Sequence, residues 1–392
     1  MALERSAGAA VGLGFLLAAS SSVGQTFFVS LFSGQIRAEL ALSHGAFGLC
    51  YTAATLAGGF CLLFLGSAAD RIEPSRLAAV TLVALSVASA AFAVAATPWL
   101  LVLALFGLRF LGQGMLSHIS ATAVGRWFSA GRGKALSLAG LGHAAGQAVL
   151  PAVVAALLTV LSWREIWFSI AALMSVVLVP AVLLLARYTP VQIPNAPSRD
   201  SGRQEVLQDR RFYLLLPGVL APPFIVTAVF FHQVHLIELK GWDLDAFTLT
   251  YPLFAAAATV VSLGAGLLVD RFGALRLVPV YLIPLAVGLF VLSVGDSILA
   301  ANLFMLLVGC SSGGATVVLG ALWPEMYGTE HLGAIRAMVM TLMVITTAVS
   351  PGLTGVLIDA GVGLPGQAIA FSVYTFTCAG VLGLLLPHLD TQ

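Results

Sequence analysis

The sequence predicts an all-α membrane protein in which twelve transmembrane helices form two pseudo-symmetric bundles of six. Charged residues make up only 9% of the 392 residues, whereas an average soluble domain contains roughly 25%. Apolar residues make up 59%, and the mean hydropathy is +1.02. In addition, a short motif that begins at Gly66 recurs at Gly266, 200 positions further along the chain, which indicates a duplicated unit.

Apolar runs separated by charges and by glycine or proline breaks mark the candidate spans. A helix needs about 20 apolar residues to cross the hydrocarbon core of a bilayer. The first run is too long for a cleaved signal peptide, so we expect a retained membrane helix. The predicted spans are 8–36, 46–69, 75–96, 99–125, 135–160, 165–187, 211–236, 247–270, 274–294, 298–322, 332–358 and 365–387.

The longest polar stretch separates two sets of six spans. We therefore predict an N-terminal six-helix bundle over 1–187, a cytoplasmic linker over 188–210 and a C-terminal six-helix bundle over 211–392. The linker contains prolines and charges of both signs, which is typical of a flexible tether. A short interfacial helix near 204–208 is the alternative for its last part.

The distribution of lysine and arginine predicts the orientation in the membrane. With the N-terminus inside, only Arg37, Arg164 and Lys240 lie outside, and Arg109 lies within a span. We therefore expect both termini in the cytoplasm and the protein in a plasma membrane, with a bacterial inner membrane favoured by the alanine, glycine and leucine content. The inside residues are Arg5, Arg71, Arg76, Arg126, Arg132, Lys134, Arg187, Arg199, Arg203, Arg210, Arg211, Arg271, Arg276 and Arg336.

The repeated motif follows the second and the eighth predicted span. Its glycine removes a side chain where helices from opposite bundles would approach closely, and its aspartate could meet the positive end of a helix. By the repeat, Asp70 would face the start of span eleven near Gly333, and Asp270 the start of span five near Gly133. We predict a cytoplasmic gate, with ordinary loop charges as the alternative. The gate residues are Gly66, Asp70, Arg71, Arg76, Gly266, Asp270, Arg271 and Arg276.

Two six-span halves, a cytoplasmic linker and this Gly-x-x-x-Asp-Arg loop in each half resemble the major facilitator superfamily. The resemblance covers the whole chain and implies the major facilitator fold and alternating-access transport. The family pattern has a glycine two residues after the arginine. Gly273 matches this pattern, whereas Glu73 replaces the glycine in the first copy, so we expect the first loop to turn differently.

A second stretch is similar to the monocarboxylate and oxalate/formate branch and its bacterial relatives. It runs from Gly125 through Lys134 and continues into a glycine-rich segment that ends at Pro151. Members of that branch bind the carboxylate with charged residues within spans eight and eleven. Here span eight has no charge before Asp270, and span eleven has only Arg336, at its cytoplasmic end.

Arg109 is the one charge deep within a predicted span. A charge at mid-membrane costs about 2.5–3.5 kcal/mol on insertion scales, so its side chain should face the bundle interior and have a partner. Gln113 lies one turn along, on the same face of the helix. Two roles remain open for Arg109, contact with an anionic substrate or a structural bond to polar groups of the first span.

Polar pairs at i, i+4 spacing lie at similar depth in spans one and five. The resemblance implies that spans one, four and five line a central cavity, so we predict a polar pocket around one cation. For a single serine or glutamine, a hydrogen bond between helices is the commoner explanation. The predicted substrate-binding residues are Arg109, Gln113, Gln25, Ser21, His143 and Gln147.

We therefore predict a secondary transporter that moves a small organic solute, an anion such as a carboxylate, by alternating access. A proton or a counter-substrate is the expected coupling partner, and we expect a monomer in the lipid bilayer. The alternatives are an exporter of lipophilic drugs or metabolites and a solute sensor without transport. Arg109 disfavours a cationic substrate, because its positive charge in the pocket would repel a cation.

Enzymes, metalloproteins and nucleic-acid-binding proteins are disfavoured, because the sequence lacks the motifs typical of them. It shows no nucleophile–base pair, metal cluster or phosphate-binding loop, so we expect neither an enzyme nor a bound cofactor or metal. The four cysteines lie singly within apolar segments, which implies neither a disulfide framework nor a zinc site. No basic tract suggests nucleic acid as a partner.

Overall fold

The computed structural model shows a helical chain that divides into two compact units, Met1–Pro197 and Ser198–Gln392. Twelve helices in the described part of the chain are long and apolar enough to cross a membrane, and no strand occurs there. The predicted fold class is therefore confirmed. The structure describes residues 2–66, 72–128, 132–189, 203–328 and 332–389.

The described residues of unit 1 form six long helices, two of which include a wider, π-helical segment. These segments are Leu108–Leu116 in the fourth helix and Met174–Leu178 in the sixth. Such segments often mark functional positions in a helix. The long helices are α1 (Ala2–Ser20), α2 (His44–Leu65), α3 (Pro74–Ala93), α4 (Pro98–Trp127), α5 (Arg132–Leu158) and α6 (Trp163–Ala186).

The first predicted span is interrupted rather than continuous. The hydroxyl groups of Ser20 and Ser21 donate to the carbonyl oxygens of Leu16 and Ala18, both at 2.7 Å, and such bonds compete with regular helix. The following Gly24 also has low helix propensity. After α1 the chain forms short helices at Ser21–Gly24, Thr26–Val29, Ser30–Phe32 and Ser33–Leu40.

Unit 2 repeats the six-helix pattern. A short helix, Arg203–Gln208, precedes it at the place where the sequence allowed an interfacial helix. Two more short helices, Gln233–Lys240 and Leu244–Thr248, connect its first two long helices. The long helices are α7 (Arg210–Phe231), α8 (Tyr251–Phe272), α9 (Ala274–Val294), α10 (Ile298–Tyr327), α11 (Leu332–Asp359) and α12 (Leu364–Leu389).

Helices α8 and α10 pack with their backbones in contact. A side chain built at Gly309 or Gly313 would clash with the carbonyl oxygens of Phe254 and Ala258. Small residues four apart allow this close crossing of membrane helices. The corresponding positions of α4 in unit 1 are Arg109 and Gln113, so the two units cannot pack this pair of helices in the same way.

A carboxylate caps the N-terminus of the third helix in each unit, but it comes from different places. Glu73 accepts hydrogen bonds from the backbone N–H groups of Ser75 (3.1 Å) and Arg76 (3.0 Å) in its own loop. At the matching position, Gly273 adopts φ +81°. Glu325 of α10 replaces the missing side chain and accepts from the N–H of Ala274 at 2.7 Å.

The different origin of the two capping carboxylates explains why the first loop has Glu73 where the family pattern has a glycine. A Cβ at Gly273 would lie 3.0 Å from the Glu325 carboxylate, so the glycine leaves room for the distant cap. The position that corresponds to Glu325 in unit 1 is Gly125, which has no side chain to offer. Each unit therefore supplies one carboxylate for one helix terminus.

At the other end of the third helix, a cation binds the free carbonyl groups in both units. Arg164 donates to the carbonyl oxygens of Ala93 and of Ala95, and it forms an ion pair with Glu39 at 2.5 Å. This hydrogen bond from Arg164 holds the pKa of the Glu39 carboxyl below its usual value. In unit 2, Lys240 donates to Ser293 at 3.0 Å.

We predict that Glu325→Gln destabilises the protein by about 1 kcal/mol, because the substitution removes the charge that caps α9. A loss of this size lowers the midpoint of thermal unfolding by roughly 2–4 °C, measurable on purified protein in detergent. The control is Glu238→Gln, which alters an exposed glutamate on a short helix. Equal midpoints for the two variants would contradict the capping role.

Candidate functional site

The Arg109 side chain lies buried in unit 1, with 3% of its surface exposed. Its Nη1 donates to the carbonyl oxygen of Gly24 at 2.8 Å, and its Nε donates to Thr55 Oγ1 at 3.1 Å. The guanidinium carbon lies 4.8 Å from the ring centroid of Tyr51. The cation is thus held by a carbonyl, a hydroxyl and an aromatic face, all neutral groups.

The regular helix is interrupted after α1 at residues 21–25, which we call the break. The break supplies the carbonyl group that Arg109 binds. Gln25 is extended (φ −82°, ψ 152°), so the regular hydrogen bonding of the helix stops beside Gly24. A Cβ built at Gly24 would come within 2.6 Å of the backbone nitrogen of Gln113, and one at Gly112 within 2.8 Å of the Gly24 Cα. The broken segment and the π-helical part of α4 are therefore in backbone contact.

Two further hydroxyl groups complete the surroundings of Arg109. Tyr51 Oη lies 2.6 Å from Thr26 Oγ1, just beyond the break. Tyr51 and Thr55 are one turn apart on α2 and reach the guanidinium with a ring and a hydroxyl respectively. The result is a continuous chain of contacts that joins α2 and α4 to both sides of the break.

A cavity of about 300 Å³ lies beside the same break in unit 1. Polar side chains from three helices or their extensions line it, and none of the described lining residues is acidic. We call it the N-cavity, and its lining residues include Ser21, Gln25, Ser117, Ser120, Gly140 and His143.

Three of the six predicted binding residues meet in the N-cavity, namely Ser21, Gln25 and His143. The rings of His143 and Phe27 pack edge to face, with 6.2 Å between their centroids. Arg109 and Gln113 are not part of its lining. Gln147 is buried one turn beyond His143, with 8% of its surface exposed.

A larger cavity, of about 550 Å³, lies in unit 2 among α7, α10 and α11. Its wall is mainly apolar, and Arg336 is the one charged side chain among its described lining residues. The guanidinium of Arg336 is exposed and donates to the carbonyl oxygen of Gly320 at 2.7 Å. We call it the C-cavity, and its lining residues include Val219, Pro222, Trp323, Arg336, Met340 and Met343.

The two cavities occupy the same register of the repeat. Positions 120, 136, 139, 140 and 143 line the N-cavity, and the positions 200 residues later line the C-cavity. His143 corresponds to Met343, and Leu136 corresponds to Arg336. The duplication has therefore kept the cavity but changed its chemistry, from polar in unit 1 to apolar with a cation in unit 2.

The predicted gate residues are only partly described. Asp70 and Arg71 lie outside the described residues, whereas Gly66 ends α2 and its carbonyl oxygen is 3.1 Å from Nε2 of His118. Because a carbonyl only accepts, this contact favours the tautomer with the proton on Nε2. Gly266 lies within α8. The remaining described gate side chains are exposed, namely Arg76 at the start of α3, Asp270 and Arg271 at the end of α8, and Arg276 at the start of α9.

Sequence reasoning missed the partners of Arg109 and the place of Arg336. Tyr51 and Thr55 have i, i+4 spacing, which marks a shared helix face but not the helix that this face contacts. Arg336 was recognised only as a charge at a helix end. The repeat offers a signal for it, because Arg336 is 200 positions from Leu136, on a face that already carries His143.

Comparisons with known proteins place the chain in context. The sequence profile of the Major Facilitator Superfamily matches residues 14–351. The chain is 28% identical over 278 residues to the "Uncharacterized 38 kDa protein in 23S RNA operon" of Thermoproteus tenax, covering 70% of this chain and 69% of that protein. The aligned region therefore covers about two thirds or more of each protein.

Similar solved structures include the nucleoside transporter NupG, with a TM-score of 0.74, 16% identity and coverage of 97% of this chain and 98% of that one. A bacterial homologue of the human lysosomal transporter Spinster, inward-facing and unoccupied, has a TM-score of 0.68 and 15% identity, with 98% and 95% coverage. At these identities the likeness shows the shared fold alone.

We predict that Arg109→Gln destabilises the protein without any solute present, by about 1–3 kcal/mol, because the buried Gly24 carbonyl loses a charge-assisted hydrogen bond. The thermal unfolding midpoint in detergent measures this loss. Gln113→Leu is the matched control, since Gln113 lies one turn along the same helix. An unchanged midpoint for Arg109→Gln would contradict a structural role and favour direct contact with substrate.

Proposed function

Because the chain belongs to the Major Facilitator Superfamily, whose members are integral membrane transporters and not enzymes, we propose that it is a secondary transporter of a small organic anion, a carboxylate. The observation that carries this proposal is the C-cavity, where the exposed Arg336 lies in a wall whose other described residues are uncharged. Among the residues that the structure describes, neither cavity has an acidic lining residue. A negatively charged solute is therefore the complementary ligand.

The same cation supports the resemblance to the monocarboxylate and oxalate/formate branch. Members of that branch use charged residues of spans eight and eleven, and Arg336 belongs to α11. It lies near the start of this helix rather than at its middle. We propose that it takes the role of the missing deeper cation.

We further propose a division of labour among the predicted binding residues. Ser21, Gln25 and His143 contact the solute in the N-cavity, while Arg109 positions the broken segment that carries the first two. This assignment is supported by the bonds of Arg109 to Gly24 and Thr55. Binding roles for Gln113 and Gln147 stay predictions.

The proposed topology has both termini and the linker on the cytoplasmic side of a bacterial inner membrane. The predicted bundle boundaries at 187 and 211 belong to the same proposal. Arg164 and Lys240, both assigned to the outer side, form ion pairs there, Arg164 with Glu39 and Lys240 with Asp296 at 2.7 Å. The excess of lysine and arginine on the side assigned to the cytoplasm supports the orientation.

The repeated loops are proposed to act as a cytoplasmic gate, with a proton or a counter-substrate driving transport by alternating access. The exposed Asp270 and Arg271 at the end of α8 are available for such a role. A monomer is the proposed functional unit.

Export of lipophilic compounds is the second candidate, favoured by the apolar wall of the C-cavity. The exposed guanidinium of Arg336 argues against lipophilic cations, because the charges would repel each other. Neutral lipophilic solutes remain compatible with this wall, so the experiment must include them.

We predict that carboxylates, and neither neutral solutes nor cations, raise the thermal unfolding midpoint of the purified protein. The carboxylate probes are lactate, succinate and benzoate. Glucose and uridine represent polar neutral solutes, octanol represents neutral lipophilic solutes, and tetraphenylphosphonium represents lipophilic cations. A ligand at about 100 times its dissociation constant stabilises by roughly 2.7 kcal/mol. Counterflow into proteoliposomes then shows whether a stabilising probe is transported. Stabilisation by tetraphenylphosphonium or uridine alone would contradict the anion proposal.

A further inference from the structure

We propose that the C-cavity binds an amphiphilic monocarboxylate, with the carboxylate on Arg336 and a hydrocarbon body against the apolar wall. This proposal rests on the proposed transport of organic anions and narrows its substrate class. Within organic anions it favours those with a single charge, because a second charge against an apolar wall would lose its hydration without compensation.

The position of Arg336 suits a carboxylate. The hydrogen bond to the Gly320 carbonyl orients the guanidinium through one nitrogen and leaves other N–H donors for a ligand. Among the described residues, no carboxylate pairs with it. A planar fork of donors binds a carboxylate through two parallel hydrogen bonds.

The apolar wall is large and adaptable. Val219 and Pro222 come from α7, Trp323 from α10, and Met340 and Met343 from α11. Methionine side chains adjust to ligands of different shape. A volume of about 550 Å³ is within the usual range for organic ligands and exceeds what a two- or three-carbon acid fills.

The combination of a cation with an apolar wall is specific to unit 2. At the matching positions of the N-cavity, Leu136 replaces Arg336, Gly140 replaces Met340 and His143 replaces Met343. The duplicated cavity therefore acts as an internal comparison. Both the charge and the hydrophobic bulk differ at corresponding positions, as expected if the C-cavity recognises both parts of an amphiphile.

The first test needs no variant. Dissociation constants of acetate, butyrate, hexanoate and octanoate are measured by calorimetry on the full-length protein in detergent, beside the matching primary alcohols and alkyltrimethylammonium ions. We expect affinity for carboxylates to rise about fourfold per added methylene until the cavity is filled. The alcohols and ammonium ions bind at least tenfold more weakly at each length. A flat series, or alcohols equal to carboxylates, would overturn the proposal.

Variants then assign the charge to Arg336. Arg336→Gln should weaken octanoate about 10- to 100-fold while octanol binding is unchanged. Arg336→Lys should recover part of the loss. Lys134→Gln is the control, because Lys134 is exposed and lies two residues before the counterpart of Arg336, and it should leave octanoate binding unchanged. Equal losses in the control and in Arg336→Gln would exclude a specific contact.

The remaining outcomes separate this proposal from the broader one. If lactate and oxalate bind and the affinity of the acetate-to-octanoate series does not rise with chain length, the proposal of organic anion transport stands and the amphiphile proposal fails. If no carboxylate binds, both fail. Repeating the octanoate titration in phosphatidylcholine and phosphatidylglycerol nanodiscs tests a lipid as the occupant. Complete loss of octanoate binding only with phosphatidylglycerol would assign the cavity to anionic lipid and overturn the proposal.

Discussion

A membrane helix that stops within the bilayer must satisfy its backbone carbonyl groups inside the protein, because the hydrocarbon core offers no hydrogen-bond donors. In this chain the constraint falls on the break after α1. Arg109 meets it by donating to the Gly24 carbonyl while its own charge is shared with Thr55 and the ring of Tyr51. The polar N-cavity depends on this contact, since the break carries Ser21 and Gln25.

The two units use different residues at corresponding positions of the repeat, and their helix packing differs there. In unit 2, glycines at 309 and 313 bring α10 into backbone contact with α8. In unit 1 the matching positions are Arg109 and Gln113, and α4 widens into a π-helical segment there. The helix caps follow the same principle. Glu73 in one unit and Glu325 in the other accept from backbone N–H groups at the start of the third helix, and the two carboxylates come from different positions of the chain.

Hydropathy and the repeat were enough to predict the twelve spans and the two bundles, since both are properties of the sequence alone. The position of Arg109 within a long apolar helix and its need for a partner also followed from the chain. Its actual partners did not, because the spacing of Tyr51 and Thr55 identifies a helix face but not its neighbour. For Arg336 the repeat offers only its correspondence to Leu136, and the packing of three helices is needed to show that the C-cavity reaches the start of α11.

Hydrogen exchange at the break tests the central claim most directly. Amide exchange of peptides covering residues 20–32 is compared between the native protein and Arg109→Gln, with peptides of α12 as the internal reference. If Arg109 holds the break, exchange in residues 20–32 becomes faster in the variant while α12 is unchanged. Identical exchange in both proteins would show that the break is stable without Arg109, which would contradict the account.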